Sequence, residues 1–202
     1  GPQAHRNALM VEVIGEPLDG VKLLRIRRYE DERGHFCETW NARAFEDAGI
    51  AARFVQDNVS RSLKAGTIRG LHYQAPPHAQ AKLVRVLAGR IVDVVVDARR
   101  GSPHFGRHYR AELGAEDDVQ IFVPRGFLHG FMTLEDNCVV QYKVDNFYAR
   151  GHDGAVRFDD PELGIDWGLP ADRAILSQKD RNARGWAEFA SPFVYEGQKV
   201  SL

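Results

Sequence analysis

A few side chains stand out because their chemistry does not suit their neighbours. In KLVRVL, Lys82 alternates onto the face that carries Val84 and Val86, and in CVVQYKV, Tyr142 shares a face with Cys138, Val140 and Val144. In TIRGLHYQ, His72 falls with Ile68, Gly70 and Gln74. Burying an ammonium, a phenol or an imidazole among apolar groups costs free energy, so each placement calls for a partner or a function. An imidazole moves protons near neutral pH because its ordinary pKa is ~6.5, whereas an ammonium supplies a standing positive charge. Together with His129 of PRGFLH, this set surrounds an anion, or a negative charge that develops during reaction, better than it surrounds a cation. The competing reading is a core whose polar groups only satisfy one another. A lysine speaks against it, because a decaying site more readily acquires apolar replacements.

The elements that must position these groups are strands. Short β-type runs separated by Gly, Pro and Asp clusters fall at 21–28, 54–60, 67–74, 82–87, 91–97, 108–112, 119–123, 130–134 and 138–144. KLVRVLAGRIVDVVVD reads as a hairpin with Ala88-Gly89 as its two-residue turn. Helical signal is confined to 41–48, with Asn41 as N-cap and Gly49 as the stop. A short turn is expected near 161–163, the segment after Ala171 has no clear pattern, and 186–202 has no functional reading. Many strands with few short helices predict a mainly β fold, a sandwich or barrel of jelly-roll type.

Composition narrows the classes. The 202 residues are 44% hydrophobic and 27% charged, which is globular and long enough to bury a core without metal or disulfide staples. A net charge of −1 offers no electrostatic hold on nucleic acid or an acidic membrane, so neither is expected as a partner. No apolar run approaches the ~20 residues of a membrane-spanning helix. Cys37 and Cys138 fit neither a zinc site nor a disulfide framework and read as small buried hydrophobes in a reducing compartment. The opening GPQAHRNALM lacks a signal pattern, so the cytoplasm is expected. Residues 1–8, led by Gly1-Pro2, read as a tag remnant, and 9–202 as one domain.

Two stretches resemble the paired motifs of a cupin barrel. Gly66, His72, Gln74, Lys82 and Gly89 follow the spacing of the first, and Pro124, Gly126 and His129 that of the second. Metal-binding cupins carry a second histidine and a glutamate where this chain has Gln74 and Lys82. An ammonium repels a divalent cation and has no lone pair to offer, so no metal is expected. RGLHYQ (69–74), the run 80–106, VPRGFLHGF (123–131), YKVDNFYA (142–149) and SQKD (177–180) resemble the dTDP-4-dehydrorhamnose 3,5-epimerase family. DERGHFCETW (31–40) and FVQDNVSRS (54–62) extend the resemblance toward the N-terminus.

The resemblance implies a cofactor-free homodimeric cupin that inverts C3 and C5 of dTDP-4-keto-6-deoxy-D-glucose on the way to dTDP-L-rhamnose. It implies that His72 is the base, oriented by Asp180, that Lys82 holds the C4 enolate oxygen, and that Tyr142 is the acid on the other face, with Tyr148 its competitor. Lys82 is a candidate to support the Tyr142 anion. Arg33, Phe36, Glu38, Gln56, Asn58, Arg69, Tyr148, Lys179 and His129 are implied to contact substrate, some across the dimer interface. Arg69 and His72 are three positions apart, which sends them to opposite faces of a regular strand. A bulge at Gly70 reconciles them; without it, Arg69 approaches around a barrel edge. The sister reading is a single C3- or C5-epimerase on a related dTDP-4-keto-6-deoxy sugar. Readings of other classes are a metal-dependent cupin and a non-catalytic sugar-nucleotide-binding cupin.

Overall fold

The computed structural model describes residues 10–197, so the reading of residues 1–8 lies outside the described residues. Along the chain come β1 (Val11–Leu18), β2 (Val21–Ile26), β3 (Arg28–Asp31), β4 (Gly34–Cys37) and α1 (Ala42–Asp47). Next are β5 (Gln56–Ser62), β6 (Ile68–Gln74), β7 (Lys82–Ala88), β8 (Arg90–Asp97), β9 (Arg99–Arg100) and β10 (His108–Gly114). Then follow β11 (Val119–Val123), β12 (Phe127–Thr133), β13 (Cys138–Val144), β14 (Asp153–Ala155), α2 (Gln178–Arg181) and β15 (Phe193–Val194).

Two antiparallel sheets make the body: six strands in the order β1-β2-β11-β7-β13-β5, and five in the order β10-β8-β12-β6-β14. Their inner faces meet in one core, with Val84, Val86, Ile121 and Val140 from the first sheet against Ile91, Val95, Ala111, Phe127 and Phe131 from the second. This is the expected jelly-roll barrel. The outer face of the six-stranded sheet, through Leu24, Ile26 and Leu83, is covered by Ala44 and Phe45 of α1 and by Ile50 just after it. The Asn41 side chain caps α1 by accepting from the Ala44 N–H at 3.0 Å, as its sequence promised. The outer face of the five-stranded sheet is covered by Val156, Phe158 and Trp167 and, from the pattern-poor segment after Ala171, by Ala174 and Phe193. Central β8 is therefore covered on both faces, and its run reads as nearly continuous valine instead of alternating. Among the described residues no helix is long and apolar enough to cross a membrane.

Two expectations about strands need correction. β7 and β8 do not form a hairpin: β7 pairs with β11 and β13, while β8 pairs with β10 and β12. The chain turns a corner at Gly89, passing from one sheet to the facing one, so that both runs turn a side into the shared core. His72 also does not share its face with Ile68. Between β12 and β6, the two-residue step from His129 to Phe131 matches a three-residue step from His72 to Arg69. The extra residue is a bulge at Gly70, and it puts Arg69 and His72 on the inner side while Ile68 and Leu71 both enter the outer core. Glycine is required there, since Gly70 has φ +133° and a Cβ would stand 2.6 Å from the Gly130 Cα. Cys138 is buried, but Cys37 is only half-buried.

Candidate active site

The open end of the barrel holds a cavity of about 410 Å³ whose wall includes Arg69, His72, Lys82, His129, Phe131, Tyr142, Ser177 and Asp180. His72 and His129 rise from neighbouring strands of the five-stranded sheet, where they are register partners. Lys82 and Tyr142 rise from β7 and β13 of the facing sheet. Strand parity for Lys82 and Tyr142, and the bulge at Gly70 for His72, thus deliver these side chains to one space from two opposed walls.

His72 Nε2 lies 2.7 Å from Asp180 Oδ1. A carboxylate only accepts, so the ring donates from Nε2 and keeps Nδ1 for another proton. The second Asp180 oxygen accepts the Gly70 N–H at 3.1 Å, so the bulge that turns His72 inward also anchors its carboxylate. Asp180 sits in the short helix α2, which Ser177 caps by accepting from the Asp180 N–H. Burial alone raises the Asp180 carboxyl, but the hydrogen bond and charge of His72, the Gly70 N–H and nearby Lys179 override it and hold it below its ordinary value.

On the facing wall, Lys82 Nζ is 5.3 Å from the centre of the Tyr142 ring. Burial brings the Lys82 ammonium down to about 8, opposed by the charge of Asp93. Burial lifts the Tyr142 phenol above its ordinary value, against the pull of an Asn58 hydrogen bond and the Arg69 charge. Asn58 and Arg69 are thus groups that favour the phenolate. Gln74, at the position of a metal-binding histidine in other cupins, spends its amide on the 147–149 loop, donating to Phe147 O at 2.9 Å and accepting from Ala149 N at 3.1 Å. Two imidazoles facing an ammonium do not make a ligand set for a divalent cation.

The remaining expected residues are more scattered. Arg69 lines the cavity, its guanidinium also donating to Ser62 Oγ at 3.1 Å and Arg61 O at 3.0 Å. Gln56 donates to Asn58 Oδ1 at 3.0 Å and accepts from the Tyr148 N–H at 3.1 Å, which links the loop after β13 to the strand beside Tyr142. Tyr148 is 58% exposed and outside the cavity wall, whereas Tyr142 is part of it. Arg33 and Phe36 belong to the β3–β4 hairpin, where Arg33 is tied to Asp31 and Phe36 is 66% exposed. They border a separate depression of about 390 Å³ with Tyr29 and His35. Glu38 accepts from the Asn41 side chain, and Lys179 donates to Asp153 Oδ2 at 2.7 Å.

Sequence reasoning missed Asp93, Ser60 and the strap 175–177. Asp93 had a signal: in IVDVVVD it alternates with Ile91 and Val95 on the inner face, the same test that exposed Lys82. The strap has none, because Ile175 is held in place by pairing beside Thr67, far away in sequence.

A family model described as dTDP-4-dehydrorhamnose 3,5-epimerase matches residues 16–188. The dTDP-4-dehydrorhamnose 3,5-epimerase of Pseudomonas aeruginosa is 47% identical, over 83% of this chain and 92% of its own. A solved dTDP-6-deoxy-D-glucose-3,5-epimerase from Legionella pneumophila, in complex with dTDP-4-keto-L-rhamnose, superposes with TM-score 0.88 at 39% identity, covering 93% of this chain and all (100%) of that one. A more distant solved structure is a 3′-monoepimerase from Streptomyces bikiniensis with dTDP-quinovose, at TM-score 0.78 and 33% identity, covering 86% and 88%. Matches of that extent and identity, over a barrel of the expected fold, establish that this chain belongs to the dTDP-4-dehydrorhamnose 3,5-epimerase family.

Proposed function

We propose that this chain inverts C3 and C5 of dTDP-4-keto-6-deoxy-D-glucose to give dTDP-4-dehydro-L-rhamnose, a step in dTDP-L-rhamnose biosynthesis. The observation that carries the reading is the presence of His72 and Tyr142 on facing walls of one cavity. Inversion needs a proton to leave one face of the sugar ring and another to arrive on the opposite face, so a single base does not suffice.

His72 takes the C3 proton on Nδ1, and Asp180 favours the imidazolium that forms. The electron pair moves onto the C4 oxygen, which Lys82 receives as an enolate. Tyr142 returns a proton to C3 from the other face, its phenolate supported by Asn58 and Arg69. Exchange with solvent restores both groups, and the same sequence acts at C5. Substrate and product are isomers, so no electrons are gained or lost.

The reading includes a cytoplasmic homodimer with residues 9–202 as one domain. Arg33 and Phe36 suit a diphosphate and a thymine ring, and their hairpin stands away from this chain's own cavity, which supports their use by a second copy. The second reading, a single C3- or C5-epimerase, draws support from likeness to the monoepimerase. The test is incubation with dTDP-4-keto-6-deoxyglucose in heavy water, followed by proton NMR. Deuterium at C3 and C5 with inversion is the expected result. Label at one carbon replaces the main reading with the second, and label at neither rejects both.

A further inference from the structure

Asp93 is a carboxylate in the barrel interior that the proposed steps leave unused. It is fully buried at 0% exposure, on the inner face of β8, and its Oδ1 accepts from His129 Nε2 at 2.7 Å. Its other oxygen, Oδ2, is buried without a hydrogen-bond partner among the described residues. A buried carboxylate oxygen left unpaired is costly, and a fold that only needed to tie off His129 could do so with a neutral acceptor. Its partner His129 lines the same cavity as Lys82, which places the Asp93 carboxylate directly behind that wall, and its charge opposes the burial that lowers Lys82.

We propose that Asp93 is a positioning residue for the epimerisation, the fixed counter-charge that keeps the Lys82 ammonium protonated in an otherwise desolvated cavity while holding His129 in one tautomer. The inference rests on the role proposed above for Lys82. The titratable and charged groups around Lys82 are Asp93 from β8, His129 from β12, His72 and Arg69 from β6, Tyr142 from β13 and Asp180 from α2. His129 adds no standing charge, because burial, with Lys82 and His72, lowers its imidazole despite Asp93. Asp180 is engaged by His72 and Gly70. Asp97, at the far end of β8, is spent on Arg99 and Ser102. Among the described residues, Asp93 is thus the negative group in the interior left to balance Lys82. Without it, the ammonium releases its proton within the working range and the enolate oxygen loses its cation.

The test is Asp93→Asn, which keeps the shape and an acceptor for His129 but removes the charge. kcat/KM for wild type is expected to fall as pH rises through about 8, where Lys82 deprotonates. In Asp93→Asn that alkaline limb moves down by about one pH unit. kcat/KM at pH 9 falls about tenfold below wild type, at pH 7 only about twofold, and the loss is recovered at lower pH. A folded variant with the wild-type profile overturns the proposal, as does a loss equal at every pH. Should the variant not fold, 13C NMR of reductively methylated wild-type protein reads Lys82 directly: titration at about 8 or above supports the counter-charge role, and titration well below neutrality overturns it. Wild-type deuterium exchange reports separately on the reaction, so failure of the two readings is distinguishable.

Discussion

The barrel contains the same contact twice. His72 Nε2 to Asp180 Oδ1 and His129 Nε2 to Asp93 Oδ1 are both 2.7 Å, and the two histidines are cross-strand neighbours. Their surroundings differ. The His72 side chain is 40% exposed and faces the cavity, whereas that of His129 is 5% exposed. Asp180 has both oxygens occupied, and Asp93 has one. An imidazole that must pick up and release a proton needs access to solvent and a partner for its charged form. The open pair has both, and the sealed pair keeps its histidine neutral and lends its negative charge to a neighbour. A hydrogen bond of given length therefore says little about role until burial and the nearest charges are known.

This comparison can be broken most directly at the open pair. His72→Ala is expected to reduce deuterium exchange at both C3 and C5 by on the order of 10³-fold, measured by NMR, with a lowered thermal midpoint because Asp180 Oδ1 loses its partner. Exchange surviving at one carbon assigns that proton to another base. Tyr142→Phe sharpens the picture from the facing wall. Inversion is expected to fall by about 10²-fold, while exchange with retention persists, because His72 both removes and returns the proton. Equal loss of the two ties Tyr142 to proton removal and erases the division between walls.

The smallest effect is in stability against pH. The folded value of His129 is lowered from 6.5, so the unfolded chain binds a proton first; its contribution is present above 6.5 and is lost as pH falls toward the folded value. Asp180 is lowered from 3.8, so its contribution is present above 3.8 and disappears only below that. A tenfold difference in proton affinity between the folded and unfolded chain is worth about 1.4 kcal/mol. Urea unfolding between pH 7 and 3 is expected to register the sealed pair first. His129→Gln flattens the upper window and Asp180→Asn the lower; a reversed order removes the distinction between the pairs.

Much of this arrangement is legible along the chain. Alternation in the runs that become β7 and β13 places Lys82 and Tyr142 inside, and the bulge found at Gly70 is one of the two ways the sequence offered to reconcile Arg69 with His72. The β3–β4 hairpin escapes because RYED and GHFC are polar and exposed, with no buried face to impose a period of two. The Ala88-Gly89 corner imitates a hairpin turn, since the local signal is the same whether the next strand pairs beside the last or crosses to the other sheet. Asp93 hides among valines because β8 is covered on both faces, which blurs the alternation that would have marked it.

By itself, the sequence determined most strands of the barrel and turned Lys82 and Tyr142 inward, because both follow from steric preference and period over a handful of neighbours. Tertiary structure alone decided that Asp93 stands beside His129 and that Arg69 and Lys82 reach the same cavity as Tyr142, and it closed the Asp180–His72 contact across 108 positions. Charge interactions depend on distance and burial, and the chain fixes neither until two sheets close over the same space.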